Sequence, residues 1–194
     1  MHELYLPGEK VSVSGHIKTV YKLMGRALAD HKMLNDGDHV MVAVSGGIDS
    51  LSLLKLFLIR QTHLKIRFKI TAVFVDMDFV QFDKDTLIKY FQDEGVDYII
   101  KPLSFTGQEM SCFWCSWNRR KILFETAGAI KANKIAFGHH LDDIAETILM
   151  NMFYRGEVST APANLEMFKG ELRIIRPMCY IEKKILREFA PNSF

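Results

Sequence analysis

Apolar runs of strand length alternate with helix-like segments along most of the chain. The strand-like runs span 39–44, 69–76, 96–103, 134–139 and 172–178. The helix-like segments, in which apolar residues recur at a spacing of three or four, span 16–34, 50–62, 83–95, 113–132 and 142–156. Strands that alternate with helices of this length form β-α-β units. The pattern therefore predicts an α/β fold with a mostly parallel sheet.

Polar residues gather where three of the predicted strands end. The sequence SGGIDS follows the first strand at residues 45–50, Asp76 ends the second strand, and His139 and His140 follow the fourth. In open parallel sheets, ligands bind at the carboxyl ends of the strands, near the point where the strand order reverses. We therefore expect these residues to contribute to one site at that edge of the sheet.

The bulk properties are typical of one soluble domain. The chain has 194 residues, of which 48% are hydrophobic and 25% are charged, and this length suits a single core. Charged residues interrupt the apolar runs before the roughly 18 residues that a membrane span requires, and the N-terminus lacks the layout of a signal peptide. We expect a cytoplasmic protein with no membrane partner. An arm and a helix over 1–38 would precede one domain over 39–194.

The charge distribution leaves the nature of the partner open. The formal net charge is +2, which does not by itself indicate a nucleic-acid partner. Basic residues gather in three places: Lys65, Arg67 and Lys69; Arg119, Arg120 and Lys121; and Lys183, Lys184 and Arg187. Such clusters are more often solvated helix faces and strand ends than the footprint of a phosphate backbone, and both interpretations stay open.

The first loop has the composition of an anion site. Gly46 and Gly47 let a ligand approach the backbone, and peptide N–H groups at a helix N-terminus favour negative charge. Ser45 and Ser50 add hydroxyl donors. The loop lacks the Gly-Lys-Ser/Thr ending of a Walker A motif and the third glycine of a dinucleotide fingerprint. The alternative is a simple turn whose helix is capped by Asp49 and Ser50, but the pattern favours phosphate binding.

A second motif, GHHLDD, begins at Gly138 and opens an amphipathic helix. Taken alone, Asp142 and Asp143 are typical of helix N-termini, and Asp143 with Glu146 matches a capping box. The two histidines are equally compatible with packing. The HExxH pattern of a zinc protease is absent from the sequence.

Cys112 and Cys115 form a CxxC pair, and Cys179 is the third cysteine of the chain. An odd number of cysteines in a cytosolic protein argues against a disulfide framework. The pair allows a redox couple, half of a zinc site, iron–sulfur ligands or coincidence, although the second pair of a complete zinc site is missing. Arg119 and Arg120 follow on the same predicted helix and add positive potential.

The motifs, taken together and in this order, resemble those of the PP-loop ATP pyrophosphatases. SGGIDS matches the SGGxDS signature of that superfamily. CFWCSWNRR, GHHLDDIAET and RIIRPMCYIEKK resemble its tRNA 2-thiolation branch, most of all the 2-thiocytidine enzymes. The resemblance implies a Rossmann-like, three-layer fold of the adenine nucleotide alpha hydrolase type, with 39–194 as the catalytic domain. It also implies ATP-dependent tRNA thiolation, in which the C2 oxygen of a pyrimidine, cytidine in first place, is adenylated and replaced by sulfur.

The resemblance also implies roles for individual residues. ATP would be bound by Ser45, Gly46, Gly47, Asp49, Ser50, Val75, Asp76, Gly138, His139, Asp142 and Arg155. Mg²⁺ would lie on Asp49 and Asp143, because a carboxylate beside polyphosphate requires a cation between them. Catalysis would fall to Asp143 and Arg119 together with the cysteine pair. Cys112 and Cys115 match two of the three ligands of a [4Fe–4S] cluster that carries sulfur.

The third cluster ligand is the point at which this chain departs from the pattern. In the relatives we expect it beyond the helix that follows RPxxY, in a further C-terminal segment. This chain stops at REFAPNSF. We therefore expect either that the segment is missing or that Cys179 takes the place of the third ligand, and a core position is the commoner fate of a lone cysteine at a strand end.

Three alternatives to tRNA thiolation of cytidine stay open. One is another PP-loop chemistry, such as 2-thiouridine or lysidine formation. Another is an ATP-binding fragment without complete thiolation activity, and the third is a zinc-stabilised RNA-binding protein. The partners that the resemblance implies are tRNA, a sulfur donor such as a cysteine desulfurase, and a second copy of the chain.

Overall fold

The strands form two sheets in a computed structural model that describes residues 5–6, 9–10, 15–105 and 111–189. The short strands β1 (Tyr5–Leu6) and β2 (Glu9–Lys10) pair antiparallel with each other. The central sheet contains β3 (His39–Val44), β4 (Lys69–Met77), β5 (Asp97–Leu103), β6 (Lys134–Ala136), β7 (Asn164–Met167) and β8 (Leu172–Ile175).

The central sheet has the strand order β5-β4-β3-β6-β8-β7. All neighbouring pairs are parallel except β7 and β8, which are antiparallel. The chain proceeds outward from β3 to β4 and β5 and then returns to the other side of β3 with β6. The order therefore reverses between β3 and β6, which is where an open α/β sheet binds its ligands.

Within the described residues, six α-helices connect or flank the strands: α1 (Gly15–Asp30), α2 (Ile48–His63), α3 (Lys84–Asp93), α4 (Cys112–Ala129), α5 (Leu141–Arg155) and α6 (Lys183–Phe189). The helices predicted from the apolar spacing are confirmed, with ends that shift by a few residues. None of the helices in these ranges combines the length and the apolar composition of a membrane span.

Two apolar clusters lie on opposite faces of the central sheet. Val42 and Ala72 belong to the first cluster, whereas Met41 and Val73 belong to the second. Successive side chains of a strand point to opposite faces, so this alternation places the clusters on either side. Helices α1, α2, α3 and α6 contribute to the first cluster, and α4 contributes to the second. The predicted α/β architecture with helices on both faces is therefore confirmed.

Helix α1 packs into the first cluster through Val20, Met24 and Ala27, which are fully buried. Arg60 of α2 is buried as well, and its guanidinium donates to the carbonyl oxygen of Tyr21. Helix α1 thus shares a core with the strands that follow it. A functional boundary at residue 38 stays a prediction.

Candidate active site

A cavity of about 240 Å³ lies at the carboxyl ends of β3, β4 and β6, at the reversal of strand order. Its lining residues are Ala43, Val44, Ser45, Asp49, Ser50, Val75, Arg119, Leu123, Phe137, Gly138, His139 and Asp143. Eight of the predicted site residues are in this set: Ser45, Asp49, Ser50, Val75, Arg119, Gly138, His139 and Asp143. The structure therefore brings residues from both motifs and from α4 to one place.

The first loop is held in shape by its two serines. The buried Ser50 hydroxyl accepts from the Ser45 N–H at 3.1 Å and donates to the Gly47 carbonyl at 2.9 Å. Gly47 is the N-cap of α2, in an extended conformation, and as a glycine it provides no side-chain cap. Capping by Asp49 and Ser50, the alternative that the sequence left open, is therefore wrong. Both residues lie inside the helix, and Ser50 instead bonds back to the loop.

Only glycine fits at position 46. Its φ is +81°, in the left-handed region that favours glycine. A Cβ atom there would lie 2.2 Å from Cζ of Phe82, whose ring packs against Phe74 with 5.0 Å between centroids. Phe82 thus covers the first loop from the segment before α3. The sequence offered no signal for this contact, because Phe82 lies in a stretch of mixed polarity outside the predicted strands.

The second loop touches the first and opens α5 with a reciprocal cap. A Cβ atom on Gly138 would lie 3.1 Å from the backbone of Asp49 and Ser50, so the two loops are in close contact. The N–H of His140 donates to the Asp143 carboxylate at 2.8 Å, and the Asp143 N–H donates to Nδ1 of His140 at 3.4 Å. His140 is the N-cap and Asp143 is N3. The predicted capping box of Asp143 with Glu146 is therefore wrong. The box is formed by His140 and Asp143, one turn earlier.

His140 connects the two carboxylates that line the cavity. Its side chain is 2% exposed, and its Nε2 lies 3.8 Å from Oδ2 of Asp49. Because Nδ1 accepts from the Asp143 N–H, the proton of the neutral ring is assigned to Nε2, on the side of Asp49. Among the described residues, Nε2 has no hydrogen-bond partner. Asp49 and Asp143 thus flank one buried imidazole, an arrangement that the sequence did not reveal.

The adjacent acids Asp142 and Asp143 have different surroundings. The Asp142 carboxylate accepts from the backbone N–H of Lys183, the first residue of α6, at 2.7 Å. This hydrogen bond lowers the pKa of Asp142. Of the two acids only Asp143 lines the cavity. A role for Asp142 in ATP binding stays a prediction. Its hydrogen bond joins α5 to α6, and its Oδ2 also lies 3.6 Å from Nδ1 of His140.

The remaining predicted ATP residues lie around or away from the cavity. Gly46 and Gly47 form the loop beside it, and Asp76 follows the lining residue Val75 but forms an ion pair with Lys84 at 3.1 Å. Arg155 is exposed at the C-terminal end of α5, and about 18 Å of helix separates it from Asp143. The structure does not bring Arg155 to the cavity.

The cysteine pair lies on the first turn of α4, which Ser111 caps by accepting from the Trp114 N–H at 3.1 Å. Cys112 is exposed, whereas Cys115 is half-buried and its thiol donates to Sδ of Met77 at 3.5 Å. Residues seven apart lie on nearly the same face of a helix. The pair therefore lies along the face of α4 that carries Arg119 into the cavity.

Cys179 lies in a different part of the fold. It is 2% exposed and belongs to the first apolar cluster, on the opposite face of the sheet from α4. Burial raises its pKa to about 11. In the described ranges, no group of three His, Cys, Asp or Glu side chains is arranged to hold a metal ion. The structure thus does not bring Cys179 to Cys112 and Cys115, because the sheet separates them.

A second cavity of about 250 Å³ shares His139 and Asp143 with the first. It is also lined by Arg120, Ile144, Thr147, Thr160, Ala161 and Arg176. Arg176 is buried and donates to Nδ1 of His139 at 3.3 Å. Desolvation by the surrounding protein and the charge of Arg176 lower the pKa of His139, although its ring also reaches solvent. The second cavity is therefore cationic and continuous with the site residues of the first.

Curated relatives match most of this chain. Over 181 residues, it is 38% identical to a protein of Psychromonas ingrahamii and to one of Haemophilus influenzae, both named tRNA-cytidine(32) 2-sulfurtransferase. The matches cover 89% of this chain but 59% and 58% of those proteins. The chain thus spans about three fifths of the length of the curated relatives it matches. No protein-family model matches the chain.

Solved structures share the fold. The U34-tRNA thiolase NcsA from Methanococcus maripaludis, with its [4Fe-4S] cluster, aligns with a TM-score of 0.73 at 21% identity, over 97% of this chain and 67% of that one. The FMN adenylyltransferase of Candida glabrata, in complex with FMN and an ATP analogue, aligns with a TM-score of 0.50 at 13% identity, over 93% and 60%. At these identities the likeness shows the fold alone. It confirms the Rossmann-like α/β fold that the resemblance implied.

Proposed function

We propose that this chain, a homologue of the tRNA-cytidine(32) 2-sulfurtransferases over the part that it shares with them, adenylates a tRNA pyrimidine at C2 to prepare it for sulfur transfer. The observation that carries the proposal is the first cavity. An uncapped helix N-terminus, two carboxylates and the cysteine-bearing helix meet around it. Cytidine is the substrate that we favour, because the relatives are named for it.

The first loop is suited to the phosphates of ATP. The N–H groups in the first turn of a helix lack intrahelical partners, and at α2 the N-cap residue, Gly47, has no side chain to accept from them. They can therefore donate to phosphate oxygens, with the Ser45 hydroxyl beside them. Asp49 and Asp143 fit Mg²⁺, which is usually held by one or two carboxylates together with substrate phosphates. When bound there, Mg²⁺ would neutralise charge on the phosphates.

The reaction follows from the position of this cavity between the loops and α4. The C2 oxygen of the pyrimidine forms a bond to the α-phosphorus, the bond from that phosphorus to the bridging oxygen breaks, and pyrophosphate leaves. Arg119 lines the cavity and can stabilise the charge that develops on the α-phosphate. A sulfur nucleophile at the level of hydrosulfide then forms a bond to C2 and loses its proton, while AMP leaves with the original oxygen.

An iron–sulfur cluster fits the described residues only in part. Cys112 and Cys115 offer two thiolates on one turn of α4, whereas Cys179 is buried across the sheet. A cluster with one open iron requires three protein ligands. We therefore assign only the pair as ligands.

This assignment predicts which cysteine matters for iron. In protein purified without oxygen, Cys112→Ser and Cys115→Ser should lose the iron and acid-labile sulfide that the wild type retains. Cys179→Ser should keep both, because the buried thiol lies across the sheet from the pair. Loss of iron in Cys179→Ser alone would contradict the assignment. Absence of iron from the wild type would favour an ATP-binding fragment.

We also propose the setting in which the chain works. Residues 39–194 would be the catalytic part and 1–38 an arm and helix that support it. The chain would act in the cytoplasm as a homodimer, with tRNA as substrate and a cysteine desulfurase as the source of sulfur.

Release of pyrophosphate from ATP tests the proposal. With Mg²⁺ present, release should depend on tRNA and should rise at least tenfold over the rate without it. Two transcripts that differ only at position 32 of the tRNA provide the control. The transcript with a pyrimidine there should support release, and the one with a purine should not. ATP binding without tRNA-dependent release would contradict the proposal and favour a nucleotide-binding module.

A further inference from the structure

Two aromatic rings stand exposed on α4 beside the site. Phe113 is 76% exposed and Trp117 is 62% exposed. The rings stack on each other with 6.3 Å between centroids and 18° between planes. Trp114, between them in sequence, instead packs against Phe105 with 5.1 Å between centroids. The helix therefore packs one tryptophan against a neighbouring ring and presents the other, together with a phenylalanine, as a flat apolar surface.

The stacked pair lies on the face of α4 that leads to the second cavity. Phe113, Trp117 and Arg120 are spaced at i, i+4 and i+7, which places them on one face of α4. This face covers about 10 Å along the helix axis. It ends at the cavity, because Arg120 is one of the lining residues. Cys112, Cys115 and Arg119 lie on a different side of the same helix, roughly 130° around its axis.

The chemistry of this face matches an unpaired nucleobase with its phosphate. Single-stranded RNA is recognised by stacking of splayed bases on aromatic rings, with Arg at the phosphates. Arg119, Arg120 and Lys121 follow Trp117 after one intervening residue, so the flat surface adjoins positive charge. Two rings alone offer far less area than a stable protein–protein interface requires. The charge and the flat shape together favour RNA over a protein partner.

We propose that Phe113 and Trp117 form a stacking platform for an unpaired base of the tRNA loop, and that Arg120 contacts the adjoining phosphate. The platform rests on the proposed function for its ligand, and it adds a binding surface outside the nucleotide cavity. A base stacked there lies one to two helical turns along α4 from Arg120, which lines the second cavity. It would hold the loop open while the neighbouring pyrimidine enters the site.

Binding of a labelled RNA hairpin, followed by fluorescence anisotropy, tests the platform. The hairpin carries a pyrimidine loop, and a fully paired duplex of the same length serves as the control ligand. Trp117→Ala should weaken binding of the hairpin about tenfold, in keeping with the loss of one stacked base. Trp117→Phe should restore most of the affinity, because it keeps a ring. Tyr154→Ala on α5 is the matched protein control, since Tyr154 is 84% exposed, and it should bind as the wild type does.

The salt dependence separates stacking from charge. Trp117→Ala should leave the slope of log K against log salt unchanged, because stacking releases no counterions. Arg120→Gln should lower the magnitude of this slope by about one, as expected for the loss of one phosphate contact. An unchanged slope in Arg120→Gln would show that Arg120 makes no phosphate contact and would contradict its proposed role.

Tryptophan fluorescence gives a direct readout of stacking. The chain has two tryptophans, so in Trp114→Phe the signal comes from Trp117 alone. The hairpin should quench this signal by more than half, and the duplex should not. Hairpin binding by Trp117→Ala at wild-type affinity, or binding without quenching, would overturn the platform while tRNA-dependent pyrophosphate release still supports the proposed function. Failure of the wild type to bind the hairpin would overturn the platform, and the pyrophosphate assay would then decide the proposed function separately.

Discussion

The loops that follow β3 and β6 lie in contact, yet they begin their helices in opposite ways. Helix α2 begins after Gly47 with no side-chain cap. Helix α5 begins with a capping box, in which His140 and Asp143 each accept from the other's backbone N–H. The first helix thus presents unoccupied donors to the cavity, and the second presents side chains that its own backbone holds in place.

This difference assigns complementary tasks to the two loops. Free N–H groups attract an anion, and the proposed phosphate site therefore lies at the start of α2. A capped N-terminus has less to offer an anion, but its acid at N3 is fixed in position and remains partly exposed. Asp143 is therefore both a structural cap and a candidate ligand for a cation. The sequence alternatives of capping and metal binding at this residue do not exclude each other.

Asp143→Asn separates these two tasks and should have the largest effect. The amide oxygen can still accept from the His140 N–H, so we expect the thermal midpoint to change by no more than about 2 °C. The negative charge is lost, and we expect Mg²⁺-dependent pyrophosphate release to fall by about a hundredfold or more. The measurements are thermal unfolding and the tRNA-dependent release of pyrophosphate.

Asp142→Asn is the matched control for that substitution. Its amide oxygen can replace the carboxylate in the bond to the Lys183 N–H, and the residue does not line the cavity. We expect release within about threefold of wild type. A loss as large as that of Asp143→Asn would contradict the separation of the two acids that the structure shows.

Gly47→Ser should give α2 a side-chain N-cap, as α5 already has. We expect its effect to be smaller than that of Asp143→Asn. The site has room, because a Cβ atom there would lie 3.6 Å from Oγ of Ser45 and the backbone is already extended. A serine N-cap is slightly better than glycine, by a few tenths of a kcal/mol. The hydroxyl would compete with phosphate for the first-turn N–H groups. We expect equal or higher stability together with ATP affinity that is about tenfold weaker.

Calorimetric titration with a non-hydrolysable ATP analogue measures that affinity. Gly47→Ala provides the control, since it adds the Cβ atom without a capping oxygen and should bind more tightly than the serine variant. Equal affinities for both variants would show that bulk, rather than the free donors of α2, determines binding at this loop.

His139→Asn should have the smallest effect of these substitutions. It should change only how the stability of the fold decreases at acidic pH. The folded pKa of His139 lies below its usual value of 6.5, so between these two values the unfolded chain binds more protons than the folded one. Stability is therefore lost as the pH falls below about 6.5 and is unaffected above about 7.5. Because the ring reaches solvent, we expect the loss of stability to be modest. Urea unfolding at pH 7.5 and 5.5 should show a steeper decrease for wild type than for the variant, and parallel decreases would contradict this origin.

Much of the architecture followed from local patterns. The run at β3 and the apolar spacing of α2 predicted a buried strand and its helix correctly, because burial on both strand faces and along one helix face leaves a direct trace in the sequence. Strand β7 has no such trace. It is a four-residue edge strand with the sequence NLEM, and only its pairing with β8 makes it a strand.

Adjacent or chemically identical residues were the hardest to assign. Asp142 and Asp143 are neighbours in sequence, but the N-terminus of α6 takes one carboxylate and the cavity receives the other. Cys179 has the same thiol as Cys112 and Cys115. It nevertheless lies in the first apolar cluster, on the face of the sheet opposite α4.

The sequence by itself determined the fold class, the two loop motifs and the cysteine pair, because each depends on the order and spacing of residues along a short stretch. Only the tertiary structure decided which acid faces the cavity, that His140 lies between Asp49 and Asp143, that Cys179 is separated from the pair, and that Phe113 and Trp117 stand exposed together. These features depend on contacts between segments far apart in the chain, and such contacts leave no periodic signal in any one segment.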